Sequence, residues 1–493
     1  MSSRVALLLY MFFSVDAVLA QEAGAVSPVH AAASANSSVT VRGSIRARAE
    51  IWNWFAADSA DNTYTYSGNL IRLSLTKSSE RGDWQVEFAM PLLLGLPDRA
   101  IASGTPGQLG LGASYFAAND QSRTAAMLFP KQLFFRWKNP GGVAGQSLQI
   151  GRFEFSDGAE YVPAEAVVSA VKRDRINQRL IGTFAFTHTG RSFDGARYSL
   201  DRKSSNLTLV AAVPTRGVFQ TDGWGWNRAG FGYAAYTREW GKGKHAAETR
   251  FFTIEYADWR RVLKADNRPA TSRREDTAMV RIETFAGHTV HAVSASVGTV
   301  DLLAWGAVQT GRWGAQKHRA WSMDVEAGFQ PKGLAGLNPW LRVGFTRGSG
   351  DENPGDATHE TFFQLLPTPR PYARFPFFNM MNIEDRFGSL VLRPHSKVTV
   401  SGEYHSLRLA NAGDLWYAGG GVFHPWTFGY TGRPAGGARS LANLYDAQLD
   451  YRLSPAVSIG GYFGFAQGLS VVRAIYPGGQ NGRFGYVDMT FRF

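Results

Sequence analysis

A repeated alternation of apolar and polar residues restricts this chain more than any other feature of its sequence. In residues 39–51 one face is apolar, whereas the other carries Arg42, Arg46 and Arg48. A period of two residues is the pattern of a β-strand, whose side chains point to opposite faces in turn. A polar face with three arginines suits a water-filled lumen, with the apolar face turned to lipid. The pattern predicts a membrane-spanning β-barrel.

Eighteen segments follow this alternation, and they predict an all-β fold: a monomeric transmembrane antiparallel β-barrel of about 18 strands. Bacterial barrels have an even number of strands. The connections alternate in length, which predicts short periplasmic turns and long extracellular loops. The predicted strands are 38–52, 69–77, 83–92, 131–138, 146–155, 192–201, 205–213, 230–240, 246–257, 276–286, 300–312, 318–328, 339–348, 386–394, 396–409, 441–453, 455–467 and 483–493.

The two ends of the chain predict export to the outer membrane. Residues 1–20 carry Arg4, an apolar run of about eleven residues and small residues up to Ala20. This is the pattern of a cleaved signal peptide, and the run is too short for the roughly 20 residues of a membrane-spanning helix. Residues 21–37 are small and polar, which predicts a flexible periplasmic leader before a barrel at 38–493. An ordinary strand of a secreted soluble sandwich is the alternative to a barrel.

The last residues form an apolar stripe that ends in an aromatic residue, Phe493. A large aromatic seldom ends a soluble domain, because chain ends usually fray into water. The stripe resembles the C-terminal signal of outer-membrane proteins, so we expect the barrel-assembly machinery as a partner through Phe493. The predicted location is the cell outer membrane.

The charge of the chain points to anionic partners. Its net charge is +12, from 11 Lys and 41 Arg against 40 acidic residues. Guanidinium groups bind carboxylates and phosphates in pairs of hydrogen bonds and stay charged. Two interpretations fit: attraction to outer-membrane lipid and lipopolysaccharide phosphates, or a lumen that conducts anions. Nucleic acid is not an expected partner.

Catalytic chemistry has no support in the sequence. There is no Cys, which removes disulfides, thiolate metal sites and cysteine nucleophiles. No nucleophile elbow, zinc-protease helix or phosphate-binding loop is present. We predict that the protein is not an enzyme and has no cofactor. The acidic loop with Asp351, Glu352 and Asp356 is the one candidate for a structural Ca²⁺, and an exposed acidic turn is its alternative.

One long connection contains a short helical pattern at 164–172, followed by Arg173, Arg175 and Arg179. Its apolar face favours folding into the barrel, where it would narrow the pore. An exposed basic loop tip is the alternative. The pair His288 and His291 is interpreted as part of a turn rather than a metal site.

Several short stretches resemble a known family, the alginate-export outer-membrane porins. They are Gly151-Arg152 with Ser156-Asp157-Gly158, the run 345–351, Tyr404-His405, the loop 366–379 and the closing segment 487–493. The resemblance implies an 18-stranded barrel whose Arg-rich constriction passes the polyuronate alginate.

The candidate selectivity residues have two origins. The resemblance implies Arg152, Arg347 and Arg374 first, then Lys131, Asp157 and Arg370. Alternation alone adds Arg46, Arg48, Arg72 and Arg136, because each lies on the polar face of its strand. For any one of them, the alternative is a cation at the membrane surface that contacts lipid phosphate.

The predicted function is passive, anion-selective passage of an anionic polysaccharide, alginate or a similar polyuronate, or of its fragments. Arginines in a narrow passage would replace water around the carboxylates, and several weak sites would let a polymer move on. The alternatives are a porin for small anionic or aromatic nutrients, a barrel enzyme, and a structural barrel with a plugged lumen. No plug domain of the length that a TonB-dependent transporter needs precedes Val39.

Overall fold

The structure is a computed structural model that describes residues 38–334, 336–368 and 374–493, without the side chain of Lys242. The predicted signal peptide (1–20) and leader (21–37) lie outside the described residues. Within these ranges no helix is long and apolar enough to cross a membrane.

The described residues contain 22 strands, and eighteen of them form a closed antiparallel barrel. The other four are short: β4 and β15 pair with barrel strands, and β18 and β19 form a separate hairpin. The strands are β1 Thr40–Asn53, β2 Thr63–Ser78, β3 Gly82–Leu94, β4 Thr124–Ala126, β5 Phe129–Lys138, β6 Gln146–Phe153, β7 Phe193–Arg202, β8 Ser205–Pro214, β9 Ala229–Lys242, β10 His245–Asp258, β11 Val280–Ser294, β12 Gly298–Trp313, β13 Gln316–Pro331, β14 Trp340–Gly348, β15 Thr358–His359, β16 Ile383–His395, β17 Val398–Leu409, β18 Leu415–Gly419, β19 Tyr430–Pro434, β20 Ser440–Arg452, β21 Val457–Gly468 and β22 Asn481–Arg492.

The barrel closes where β22 pairs with β1. Beyond the last strand, Phe493 exchanges backbone hydrogen bonds of 2.8 and 3.0 Å with Gly43. Closure leaves no free sheet edge, so every strand finds hydrogen-bonding partners on both sides within the hydrocarbon layer. The barrel predicted from the alternation is therefore closed.

Strand β22 shows how the alternation is used. Val487 and Met489 point outward and are 63% and 51% exposed, as expected for side chains that face lipid in the membrane. Asp488 and Thr490 lie on the other face, toward the lumen. The two faces predicted from period two are confirmed in this strand.

The connections alternate in length, with two departures. Long external connections include 95–128, 154–192, 349–382 and 410–439, while most periplasmic turns have two to seven residues. The external turn between β12 and β13 has only residues 314–315, and the periplasmic connection before β14 is longer, at 332–339. The alternation of short periplasmic turns with long external loops is thus a strong tendency rather than a rule.

Helical segments occur in the connections. They are α1 Leu111–Ala118, a 3₁₀ turn at Pro140–Gly142, α2 Ala166–Val171, a π turn at Lys172–Ile176, α3 Ala270–Glu275 and α4 Ser470–Ile475. All are eight residues or shorter, so they shape loops and do not form a second layer around the barrel.

Two strands, β2 and β11, differ from their predicted bounds by more than three residues. Strand β2 begins at Thr63 rather than residue 69, because Tyr64 and Tyr66 continue its inward face. Strand β11 runs to Ser294, so the interpretation of His288 and His291 as a turn is wrong. His288 faces inward with its Nε2 2.9 Å from Glu248, while His291 lies on the outer face.

Candidate functional site in the barrel lumen

The connection between β6 and β7, residues 154–192, enters the barrel, and we call it the inner loop. Its helix α2 begins after Glu165, whose carboxylate accepts a hydrogen bond from the backbone N–H of Val168 at 2.7 Å. A side-chain acceptor at this position stabilises the first helical turn. Helix α2 packs against β10, β11 and β12. The predicted inward folding of this segment is confirmed.

Ion pairs hold the inner loop against one side of the lumen. A buried charge is costly unless it is paired, so charges of this kind strongly favour one loop position. Three basic side chains each meet an inward carboxylate: Lys172 with Glu248 at 2.8 Å, Arg175 with Glu326 at 3.0 Å, and Arg179 with Asp324.

The far end of the inner loop reaches strand β1. Arg46 donates to the carbonyl oxygen of Thr187 at 2.9 Å, and Arg48 donates to that of Phe186 at 3.0 Å. Arg48 also pairs with Asp488 at 2.8 Å. Because β1 lies far around the barrel from β13, the loop crosses the lumen and narrows it.

A glycine in the wall makes room for this contact. The ring of His188 in the inner loop lies so close to Gly68 that a Cβ there would be 2.1 Å from Nε2. The same nitrogen lies 3.0 Å from the buried carboxylate of Glu50. Gly68 therefore gives the imidazole access to its carboxylate partner.

Asp157 organises the base of the inner loop. Its Oδ1 accepts hydrogen bonds from the backbone N–H groups of Leu180 and Ile181, at 3.1 and 2.9 Å. Arg250 is 4.0 Å away. Burial raises the pKa of Asp157 to about 6, although the neighbouring arginine and N–H groups oppose this rise. The predicted site residue thus holds the loop rather than facing solvent.

The inner loop divides the lumen into two unlike halves. Inward side chains of β8–β14 are covered: Glu248, Thr284 and Asp301 are each 0% exposed. The inward side chains of β16, β17, β20–β22, β1 and β2 include partly exposed ones, among them Ser401 and Gln448, while others such as Arg48 and Tyr486 are buried. We call the second set the open wall.

The open wall carries arginines with no acidic partner. Arg46, Arg492 and the loop residue Arg374 form no ion pair with any carboxylate among the described residues. Arg492 donates to Ser458 Oγ at 3.0 Å, and Arg374 donates to the hydroxyl of Tyr486. Arg46 donates to the backbone carbonyls of Ala185 and Thr187, so its positive charge is held in place but is not neutralised by a paired carboxylate among the described residues.

Carboxylates lie between these cations. Glu403 and Asp488 are 27% and 17% exposed toward the lumen. Glu403, His405 and Asp446 form the one group of three metal-ligand side chains that converges in the described part of the chain. His405 already contacts Asp385 at 2.9 Å and Glu403 at 3.2 Å, so both ring nitrogens have protein partners.

The residues chosen from alternation face inward. Arg46 and Arg48 lie on the open wall, Arg72 pairs with Glu87 and with Glu154 at 3.1 Å, and Arg136 contacts Asp83 at 2.9 Å near the periplasmic turns. Lys131 is inward but 3% exposed, and it donates to the carbonyl of Thr189 at 3.1 Å. Its ammonium therefore braces the inner loop.

Arg152 lies on the outer face, in contrast to the constriction position that the resemblance implies. It shares that face with Leu133 and Ile150, which are 53% and 57% exposed. Its Nε and Nη2 each donate a hydrogen bond to a carboxylate oxygen of Asp194 at 2.7 Å, and the carbonyl oxygen of Trp224 accepts a further hydrogen bond. The hydrogen-bond donors of Arg152 are thus occupied by protein groups at the external membrane boundary.

Arg347 also lies on the outer face, and the expectation of a lumenal side chain does not hold for it. Along β14 it alternates with the inward Thr346, on the side of the lipid-facing Val343. Its nearest aromatic partner is the outward Trp321, at 5.8 Å. An arginine beside an interfacial tryptophan is typical of a membrane boundary.

The remaining predicted residues are Arg370 and the acidic loop that was a candidate for Ca²⁺. Arg370 lies outside the described residues. Asp351 is 1% exposed, and its carboxylate accepts the N–H of Asn353 at 3.0 Å. Asp356 does the same for Thr358 at 2.7 Å. With Glu352 these carboxylates form no converging group in the described residues, so the geometry gives the predicted Ca²⁺ no support.

Sequence reasoning missed most of the buried ionic network. Asp324 and Glu326 alternate with the outward Met323 and Val325 along β13. A charged residue at an inward position of a strand is the signal that could have revealed them. The same signal placed Arg46 and Arg48 inward.

Comparison with known proteins supports the family resemblance. The model of the alginate export family matches residues 131–460, about two thirds of the chain. The chain belongs to the alginate export family. None of the curated proteins matches it significantly.

Solved structures share the fold at very low sequence identity. OpdK of Pseudomonas aeruginosa is 7% identical with a TM-score of 0.54, over 92% of this chain and 99% of its own. OccAB2 of Acinetobacter baumannii is 7% identical with a TM-score of 0.58, over 92% and 98%. OpdK is an outer-membrane protein, and these neighbours share the barrel fold of this chain. Together with membership of the alginate export family, the fold makes the chain a porin-like barrel of the Gram-negative outer membrane.

Proposed function

We propose that this family member is a passive, anion-selective channel for a polyuronate such as alginate, or for its fragments, and that the solute moves along the open wall. One observation carries the proposal: Arg46, Arg374 and Arg492 face this wall without an acidic partner among the described residues. A polyuronate presents one carboxylate per sugar, and guanidinium groups bind carboxylates with favourable geometry.

The neighbouring acids explain how such sites could stay weak. Transport requires binding that is strong enough for entry and weak enough for release. Glu403 interacts electrostatically with Arg374, and Asp488 with Arg46, so both carboxylates reduce the local positive potential. A polymer carboxylate would pass from one cation to the next without being held at any single high-affinity site.

Ion selectivity tests this proposal. The protein is inserted into a planar bilayer and the reversal potential is measured across a salt gradient. The native channel is expected to prefer anions. The double variant Arg46→Gln with Arg374→Gln is expected to lose most of this preference and to be blocked less by oligouronates.

Two outward arginines provide the matched control. Arg152→Gln with Arg347→Gln removes the same charge from the lipid-facing surface. This control should leave the reversal potential and oligouronate block unchanged. Cation selectivity of the native channel, or an equal effect of both double variants, would reject the proposal.

A porin for small aromatic carboxylates is the second candidate. The guanidinium of Arg374 lies 5.9 Å from the ring of Tyr462, and the rings of Tyr462 and Tyr486 stack at 5.5 Å. A cation beside aromatic faces suits a ligand with a ring and a carboxylate. One structural neighbour is OpdK with vanillate, 8% identical with a TM-score of 0.55.

Block measurements separate the two candidates. Oligouronates should block the current more strongly as their length increases, because a longer chain engages more arginines. If vanillate blocks and oligouronates of every length do not, the small-solute alternative is correct.

A further inference from the structure

Three cations lie side by side on the outer surface of the barrel. Arg281 of β11 is opposite Arg312 of β12, and Arg312 is opposite Lys317 of β13. One step closer to the membrane centre, Arg319 adds a fourth positive charge. All four are exposed. We call these four residues the basic rim.

The basic rim lacks enough acidic partners within the protein. Arg281 contacts Glu255 at 3.1 Å. Arg312, Lys317 and Arg319 form no ion pair or side-chain hydrogen bond with any described residue. Like charges directly opposite each other on neighbouring strands destabilise a sheet. An external anion would remove this repulsion.

The depth of the basic rim in the membrane follows from the register. Lys317 is the second residue of β13, which begins directly after the external turn 314–315. Two residues toward the membrane centre, the outward row is Glu283, Thr310 and Arg319. The next outward row is Phe285, Val308 and Trp321, which are 52%, 52% and 41% exposed. The cations therefore lie where the lipid-facing belt ends on the external side.

Arg152 shows why position alone does not make such a site. It also lies at the external boundary, but Asp194 and three backbone carbonyls occupy its donors. The basic rim differs because three of its four cations donate no side-chain hydrogen bond to any described residue, and because the cations lie on adjacent strands.

We propose that the basic rim binds the phosphate groups of lipopolysaccharide in the outer leaflet. The phosphates of lipid A lie at the boundary between acyl chains and sugars, the level at which the basic rim meets the apolar belt. Arginine binds phosphate through paired hydrogen bonds, while Phe285 and Trp321 would contact the acyl chains below.

Binding of defined lipids to the full-length barrel in detergent tests the proposal. The variant Arg312→Gln, Lys317→Gln, Arg319→Gln is compared with native protein for affinity to bisphosphorylated lipid A. Each cation near an anionic lipid surface contributes about 1 kcal/mol, so the loss should be on the order of 100-fold. Affinity for the dephosphorylated lipid should not change.

A control removes three cations from the periplasmic turns, with Arg81→Gln, Lys203→Gln and Lys397→Gln. It should bind lipid A like native protein. The proposal is overturned if the basic-rim variant keeps native affinity, if the control loses as much, or if dephosphorylated lipid shows the same loss. It is also overturned if the rim variant binds oligouronates more weakly and lipid A normally, because the rim would then recruit the polymer.

Discussion

Among single residues of the inner loop, Asp157 makes a contact that depends on pH. Its carboxyl group is fully buried, accepts two backbone N–H groups of the inner loop and has a pKa raised to about 6. An ordinary aspartate in an unfolded chain has a pKa near 3.9. Between these values the folded loop binds a proton that the free chain releases.

This linkage has a definite sign. Because the folded pKa is raised, the stability of the inner loop should increase as the pH falls from about 7 toward about 4. We therefore expect fewer current fluctuations from loop movement at pH 5 than at pH 7.5 in single-channel recordings. Asp157→Asn should remove most of this pH dependence.

Asp174 offers the matched control, since it lies in the same loop and is 44% exposed. Asp174→Asn should leave the pH dependence as it is in the native protein. If the current fluctuations of the Asp157→Asn channel keep the native pH dependence, another group is responsible and the assignment to Asp157 is wrong.

Single residues also show what the sequence could and could not predict about the site. Alternation alone placed Arg46, Arg48, Arg72 and Arg136 inward, because the side-chain period of a strand is a local property. The resemblance suggested Arg152 and Arg347, which lie outward. Their own alternation, with Ile150 and with Val343, indicates the outer face.

At the scale of elements, the inner loop determines which part of the lumen stays accessible. The sequence indicated its short helix and its inward fold, since the segment has an apolar face to bury. The carboxylates that receive its cations come from β10 and β13, more than 70 residues away. Such long-range pairing cannot be read from one segment.

Loss of the Glu326 charge should loosen the inner loop. Glu326 contacts Arg175 at 3.0 Å and Arg342 at 2.9 Å, and all three side chains are largely buried. Removing one partner of a buried ion pair costs about 3–5 kcal/mol. We expect Glu326→Gln to lower the temperature at which the barrel unfolds in detergent and to increase current fluctuations.

The exposed outward carboxylate Glu283 lies at the external end of β11 and provides a control. Glu283→Gln should change neither the unfolding temperature nor the current by a comparable amount. A Glu326→Gln channel with native thermal stability and native current noise would show that this network does not hold the loop.

The contact between Gly68 and His188, at the far end of the inner loop, allows a separate prediction. A Cβ at Gly68 would collide with the ring of His188, so Gly68→Val should displace the far end of the inner loop. The expected result is a changed single-channel conductance in a barrel that still folds. Gly461→Val is the control, because a Cβ at Gly461 meets nothing within 4 Å; equal conductance changes in both variants would contradict the assignment.

For the whole molecule, the sequence predicted the architecture better than the details of the site. An even number of alternating segments, loops sorted by length and a terminal apolar stripe together predicted a barrel of about 18 strands, and 18 are observed. These features are set by the membrane, which requires closed sheets with an apolar exterior. The division into filled and open halves depends on how loops pack inside, and no sequence pattern predicted it.

The role of the last residue in assembly stays a prediction. Phe493 is 60% exposed on the lipid side, and its ring lies over Gly43 at the seam. Phe493→Ala should reduce insertion into vesicles that contain the assembly machinery by more than it reduces spontaneous folding in detergent. Phe463→Ala, at another outward position that is 52% exposed, is the control; equal effects on both routes would exclude a recognition role.

The absence of cysteine from the native chain allows one measurement to test the central claim directly. A single cysteine is introduced on the open wall, Gln448→Cys, or on the filled side, Thr284→Cys, and a charged thiol reagent is added during current recording. The open wall predicts rapid modification and reduced current for Gln448→Cys, slower modification when oligouronates are present, and no modification for Thr284→Cys. Rapid modification at Thr284→Cys, or no protection of Gln448→Cys by oligouronates, would contradict an anion pathway along the open wall.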